Sequence, residues 1–207
     1  MQDIKTFTGR YFDFFKQALD SITVTRPDGS PVEYQAAMQE VCSLITKLQS
    51  DNKQVMMVGN GGSAGICSHQ VVDYWKNGNI KATAFNDSSL LTCISNDYSY
   101  EEVFSKPIEM FGSQGDLLFC ISSSGSSMNI RNAADAGKAR KCNVVTFSGF
   151  DEKNPLRSMG LLNFYVKSNA YGAVEILHLF IIHSILDAYL FVYQNTDVFN
   201  KNKPLKS

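Results

Sequence analysis

Two amphipathic stretches of helical period open this chain, and only after them does a regular alternation of short apolar runs and helical segments begin. Residues 3–22 place Ile4, Phe7, Tyr11, Phe12, Phe14, Phe15, Ala18 and Leu19 at near-helical spacing on a wide apolar face. Residues 23–31, with Pro27-Asp28-Gly29, read as a turn or loop. Residues 33–48 form a second helix, with Ala37, Met38, Val41, Leu44, Ile45 and Leu48 on one stripe. The alternation then predicts strands at 55–58, 117–121, 144–147 and 162–166, and short strands, or one strand and a turn, at 80–84 and 90–94. Helices are predicted at 63–75, 100–111, 127–141 and 173–193, and a loop with a short helical piece at 149–157. Apolar strands alternating with helices imply an α/β fold: a mainly parallel sheet covered on both faces.

The chain has 207 residues, which suits one domain over residues 1–195, the helices at 3–22 and 33–48 included, followed by a polar, lysine-rich tail at 196–207. Hydrophobic residues make up 44% and charged residues 19%, enough for a sizeable core. A net charge of −1 gives no general reason to bind nucleic acid or an anionic membrane. The basic cluster Lys138-Ala139-Arg140-Lys141 complements the dipole at a helix end. Five cysteines without a CxxC pair read as free thiols in a reducing cytoplasm, and the N-terminus lacks the apolar core of a signal peptide. The 174–194 stretch is strongly apolar, but Glu175, His178, His183 and Asp187 interrupt it, so it reads as a core or interface helix rather than a membrane span. The aromatic faces of the leading helices need cover, which a second subunit supplies naturally.

Two turns carry the chemistry. Gly59-Asn60-Gly61-Gly62-Ser63 follows a predicted strand and opens a helix, yet matches neither the GxGxxG fingerprint nor a P-loop. Its glycines permit close backbone approach to a ligand. Ser122-Ser123-Ser124-Gly125-Ser126-Ser127 stands at the next such junction. Ser127 at a helix cap explains one hydroxyl, not five. Hydroxyls and backbone N–H groups at helix N-termini favour an anion, and two such turns point to a phosphorylated polar small molecule. Asn96-Asp97 is placed by the predicted strand at 90–94 on the same ligand-binding edge. His69 and Asp73 share a helix face at i,i+4 spacing, while Glu175 and His183 lie in the long apolar helix, with His178 turned about 140° from His183. These four are groups of metal-ligand or acid–base type. Glu175 and His183 stand about 12 Å apart along a helix axis. One ion takes both only if the side chains lean together, the helix starts late, or the two come from different subunits.

In this order the glycine turn, His69 and Asp73, Ser95-Asn96-Asp97-Tyr98, the serine loop and Glu175 to His183 resemble the sugar isomerase (SIS) domain family and, within it, the phosphoheptose isomerases, over roughly residues 35–190. The resemblance implies a three-layer αβα sandwich with a five-stranded, mainly parallel sheet and two leading helices. It implies a homotetramer, or at least a homodimer, with sites at subunit interfaces. It also implies aldose–ketose isomerisation of a phosphosugar in the cytoplasm, for surface glycans. By position, Ser122, Ser123, Ser124 and Ser127 fall on the phosphate site. Asn60, Gly61, Gly62, Ser63, Asp97 and Glu175 fall on the sugar site. Asp73 and His183 fall on the catalytic pair, and His69, Asp73, Glu175 and His183 on the ligands of one Zn²⁺. The chain departs from the family pattern at Asp73 (usually Glu), Glu175 (usually Gln), Asn77 (Arg), Gly172 (Asp) and Ser123 (Thr), and these departures bear on the sugar. The competing expectations are an isomerase of another phosphosugar and a non-catalytic phosphosugar-binding or adaptor module.

Overall fold

A computed structural model describes residues 3–200 and 203–204. Helices α1 (Ile4–Asp20) and α2 (Tyr34–Ser50) precede the first long strand, as predicted. Then follow β3 (Val55–Gly59), α3 (Gly62–Lys76), β4 (Ala82–Ala84), α4 (Ser88–Asp97), α5 (Ser105–Phe111), β5 (Leu117–Ser122), α6 (Met128–Ala139), β6 (Asn143–Ser148), β7 (Leu162–Tyr165) and α7 (Tyr171–Tyr193). Between α1 and α2 lies a hairpin of β1 (Thr23–Thr25) and β2 (Pro31–Val32).

The main sheet has seven strands in the order β2-β1-β7-β6-β5-β3-β4. Five of them, β7-β6-β5-β3-β4, are parallel, and β1 joins β7 antiparallel. The five-stranded expectation therefore holds for the parallel part and misses the hairpin. That segment reads as a loop because its pairing is short and its turn residues dominate. Arg26 and Ser30 close the turn by a backbone bond of 2.9 Å, and Gly29 takes φ +84° inside it. The main sheet separates two apolar layers, and strand alternation decides which side chain enters each. Val55, Met57, Leu117, Phe119, Val145 and Phe147 meet α2, α3 and α7; Met56, Val58, Leu118, Cys120 and Val144 meet the layer of α5 and α6.

Three other expectations change. Residues 90–94 are not a strand but the middle of α4, whose start Asp87 caps by accepting from the Ser89 and Leu90 N–H groups. Leu90, Leu91 and Ile94 recur at helical spacing and pack on the second layer. The helix predicted at 100–111 splits into a 3-10 turn at Tyr100–Glu102 and α5, where Pro107 sits in the first turn, the place a helix tolerates it. In the expected tail, β8 (Thr196–Asp197) pairs with β9 (Lys203–Pro204), while residues 201, 202 and 205–207 lie outside the described residues. Helix α7 is long and apolar enough to cross a bilayer, yet here it packs in the core through Ala173, Val174, Leu177, Ile181, Ile182 and Ile185.

Candidate active site

The chain moves outward from β3 in both directions, to β4 on one side and β5 on the other, so the topological switch lies between β3 and β5. Register places Gly59 opposite Ile121, bringing the glycine turn and the serine loop side by side at the carboxyl ends of these strands. They line a cleft of about 240 Å³ together with Tyr171 and Glu175 from the start of α7.

Three helices begin at this cleft: α3 at the glycine turn, α6 after Ser127, and α7 at Tyr171. None of the three has a side-chain cap bonded to its first N–H groups. Such groups need a partner, and an anion supplies one. The buried Ser123 hydroxyl also has no partner among the described residues. Ser122 Oγ accepts from the Gly125 N–H at 3.1 Å and faces Ser127 Oγ at 3.4 Å, while Ser124 Oγ accepts from the Ser126 N–H. Gly125 takes φ +63° under Asn154, whose amide would overlap any Cβ placed there. Gly62 is equally constrained, because a Cβ would lie 2.5 Å from Glu175 Oε2. Asn60 and Asn129 form a reciprocal amide pair, 2.9 Å in each direction, which ties the glycine turn to the start of α6. Tyr100 Oη adds a bond to Asn60 Oδ1 at 3.1 Å.

Farther along the same two helices a second group assembles. The Nε2 atoms of His69 and His183 stand 3.3 Å apart, and Asp73 Oδ2 lies 3.3 Å from the first and 3.7 Å from the second. All three ligand atoms fall within 4.8 Å of one another, and two imidazole nitrogens with one carboxylate oxygen are a donor set suited to Zn²⁺. Asn77 Nδ2 donates to Asp73 Oδ1 at 3.3 Å. Asp187, one turn beyond His183, has its carboxyl pushed up by burial and by the Asp73 carboxylate, against an opposing pull from His183. His69 lies seven residues into the helix from Gly62, about 10 Å along its axis.

The four expected metal-type residues thus divide. His69, Asp73 and His183 converge, whereas Glu175 stands with the serine loop against Gly62. Asn60, Gly61, Gly62, Ser63, Ser122, Ser123, Ser124 and Ser127 all line the cleft. Asp97 ends α4 rather than following a strand; it accepts from Asn96 and Cys93 and does not line the cleft. His178 is fully buried, and its Nε2–H donates to the Ser148 carbonyl at 3.1 Å, clear of the His69 group. Sequence reasoning missed Tyr171, Asn129 and the placing of Asp187. The i,i+4 spacing of His183 and Asp187 was a usable signal for the last; nothing local marks the other two.

The SIS domain family model matches residues 11–149. A phosphoheptose isomerase from Shewanella denitrificans is 34% identical over 159 residues, covering 73% of this chain and 81% of the relative. Two solved phosphoheptose isomerases share the fold. The Neisseria gonorrhoeae protein has a TM-score of 0.78 at 24% identity, over 92% of this chain and all of its own. The Francisella tularensis protein also reaches 0.78, at 21% identity, over 91% of this chain and 98% of its own. A cleft at the sheet's switch point, a His–Asp–His cluster on the helices that frame it, and relatives of this identity and coverage together make the chain a member of the SIS-domain family, among the phosphoheptose isomerases.

Proposed function

We propose that this protein is an aldose–ketose isomerase that converts sedoheptulose 7-phosphate to D-glycero-D-manno-heptose 7-phosphate, for the heptose of bacterial surface glycans. The observation that carries the reading is a shared scaffold: α3 and α7 both start at the anion cleft and both carry the His69–Asp73–His183 group farther along. In this reading Ser122, Ser123, Ser124 and Ser127 hold the phosphate with the helix N-terminal N–H groups. Asn60, Gly61, Gly62 and Ser63 hold the carbon chain, with Glu175 beside them and Asp97 nearby. Anchoring at the phosphate supplies rate by positioning.

Asp73 takes the proton from the carbon beside the carbonyl, and His183 serves the oxygens as the enediol forms and collapses. Acid and base exchange roles along the path. His69, Asp73 and His183 are the residues that would hold one Zn²⁺, with Glu175 joining them only through side-chain movement or from another subunit. A bound Zn²⁺ supplies Lewis acidity toward the carbonyl and the adjacent hydroxyl. Residues 1–195 form one SIS domain in this proposal. The protein works as a homotetramer, or at least a homodimer, because Ile4, Phe7 and Phe12 on α1 stand exposed on an apolar face. Five free thiols fit a cytoplasmic setting.

The test is an NMR time course with sedoheptulose 7-phosphate, with and without added Zn²⁺, beside a calorimetric Zn²⁺ titration of the protein and of His69→Ala. The expected result is aldoheptose phosphate and a Zn²⁺ site lost in the variant. A folded protein that binds the sugar phosphate without converting it sinks the isomerase reading.

A further inference from the structure

Tyr171 lines the anion cleft, yet nothing about binding a phosphate requires an aromatic ring there. It is the first residue of α7 and remains 62% exposed, although it stands one helical turn before Glu175 on the same face. An exposed aromatic at the mouth of a polar cleft has a use when the ligand has a C–H face as well as hydroxyls. The π face is the negative part of the ring, and sugar C–H groups carry partial positive charge.

The ring is also held in place. Phe150 meets it edge-on, with centroids 4.8 Å apart and an interplanar angle of 85°. In that geometry at least one face of Tyr171 is left free. Phe150 itself has φ +56°, a left-handed backbone that a bulky side chain rarely adopts. Two hydrogen bonds fix it there: its N–H donates to the Ser168 carbonyl at 3.0 Å, and its carbonyl accepts from Tyr165 Oη at 2.7 Å. Strain of this kind persists where surrounding structure over-determines it, and it concentrates at ligand sites. Here its product is a fixed support behind an exposed ring.

We infer that Tyr171 is a specificity-determining platform. Its free face packs against the C–H face of the carbon chain of a phosphosugar whose phosphate lies in the serine loop, and Phe150 holds the ring at that angle. The inference rests on the cleft being the phosphosugar site, and it adds a determinant of selectivity for a sugar phosphate over phosphate alone.

The experiment measures calorimetric affinities for sedoheptulose 7-phosphate and for inorganic phosphate in the unsubstituted protein and in Tyr171→Ala, Tyr171→Leu and Tyr171→Phe. Circular dichroism confirms folding. In Tyr171→Ala the sugar phosphate is expected to bind about tenfold more weakly, as one aromatic contact of about 1.4 kcal/mol implies. Inorganic phosphate should be unchanged. Tyr171→Phe should retain the sugar affinity and Tyr171→Leu should not. Phe150→Ala, with the platform intact but unsupported, should fall between. Equal losses for both ligands in Tyr171→Ala, or unchanged sugar affinity, overturn the platform. Turnover is followed in the same preparations. A protein that binds the sugar phosphate selectively through Tyr171 but never isomerises it keeps the platform and loses the isomerase, whereas one that binds neither ligand loses both.

Discussion

The serine cleft and the His69–Asp73–His183 group share two helices but are built from different material. The cleft is mostly backbone and short hydroxyls: turns at the ends of β3 and β5, three helix starts and five serines, with Asn60, Tyr171 and Glu175 as its longer polar side chains. The His69–Asp73–His183 group is made of side chains from the interiors of α3 and α7, and the His69 side chain is 55% exposed. Under the proposed function, anchoring is a property of the fold, while reactivity depends on a few removable groups. Substitutions in the two regions should therefore have separable consequences.

The largest effect should come from Asp73→Asn or His183→Ala. Loss of a general acid or base costs about 10²–10⁴ in rate. Single-turnover assays should show kcat falling by that factor while inorganic phosphate affinity, measured by calorimetry, stays within about twofold. A parallel loss of phosphate binding breaks the separation, because the cleft would then depend on the side chains beyond it.

His178 lies on α7 between Glu175 and His183, and so between the two regions. Burial lowers its pKa to about 4 from an ordinary value of 6.5, while its bond to the Ser148 carbonyl pulls the other way. The unfolded chain therefore binds a proton that the folded chain refuses. The corresponding stability is fully present above pH 6.5 and is lost as pH falls through about 4, a total of about 3 kcal/mol. Denaturant melts across that window should show the loss, and His178→Leu should flatten it, while the Ser148 carbonyl keeps its bond from the Val166 N–H at 2.9 Å. A pH-independent midpoint in the unsubstituted protein contradicts a neutral, buried imidazole.

Gly125→Ala tests the cleft alone. The residue has φ +63°, and a Cβ would overlap the Asn154 amide, which itself bonds to Ser148, Gly149 and Asp151. Strain and displacement of this kind cost about 1–3 kcal/mol. The expected result is a lower melting temperature and weaker phosphate binding, with Zn²⁺ uptake at His69, Asp73 and His183 unaltered. Altered uptake shows that the two regions are mechanically coupled through α7.

This difference in material also decided what the sequence revealed. Turns made of glycine and serine after apolar runs are local signals, so the whole lining from Asn60 to Ser63 and from Ser122 to Ser127 was legible. His69 and Asp73 were legible as an i,i+4 pair. The placing of Glu175 was not, because a helical period fixes its face but not which of two sites on that face it reaches. Residues 90–94 were misread for a different reason: the run is short and apolar, and the helical spacing of Leu90, Leu91 and Ile94 with the cap at Asp87 was too brief to outweigh that, so Asp97 ends α4 instead of following a strand. Asn129 and Tyr171 became visible only when β3 and β5 were set in register and α7 was laid beside them. The β1–β2 hairpin stayed hidden because two- and three-residue strands carry no period of their own.

Ser124→Ala should have the smallest effect and divides the regions most finely. Among the described residues its hydroxyl accepts only from the Ser126 N–H two residues on, so removing it leaves the loop's bonds at Ser122 intact. What is lost is one donor to a charged ligand, worth about 1.5 kcal/mol or roughly tenfold in affinity. If the phosphate is gripped equally before and during proton transfer, that loss enters KM, and kcat stays within about twofold. Steady-state kinetics on the sugar phosphate separate the two parameters. A tenfold fall in kcat at unchanged KM means that the serine loop tightens only as the enediol forms, so the cleft takes part in the reaction it was built to anchor.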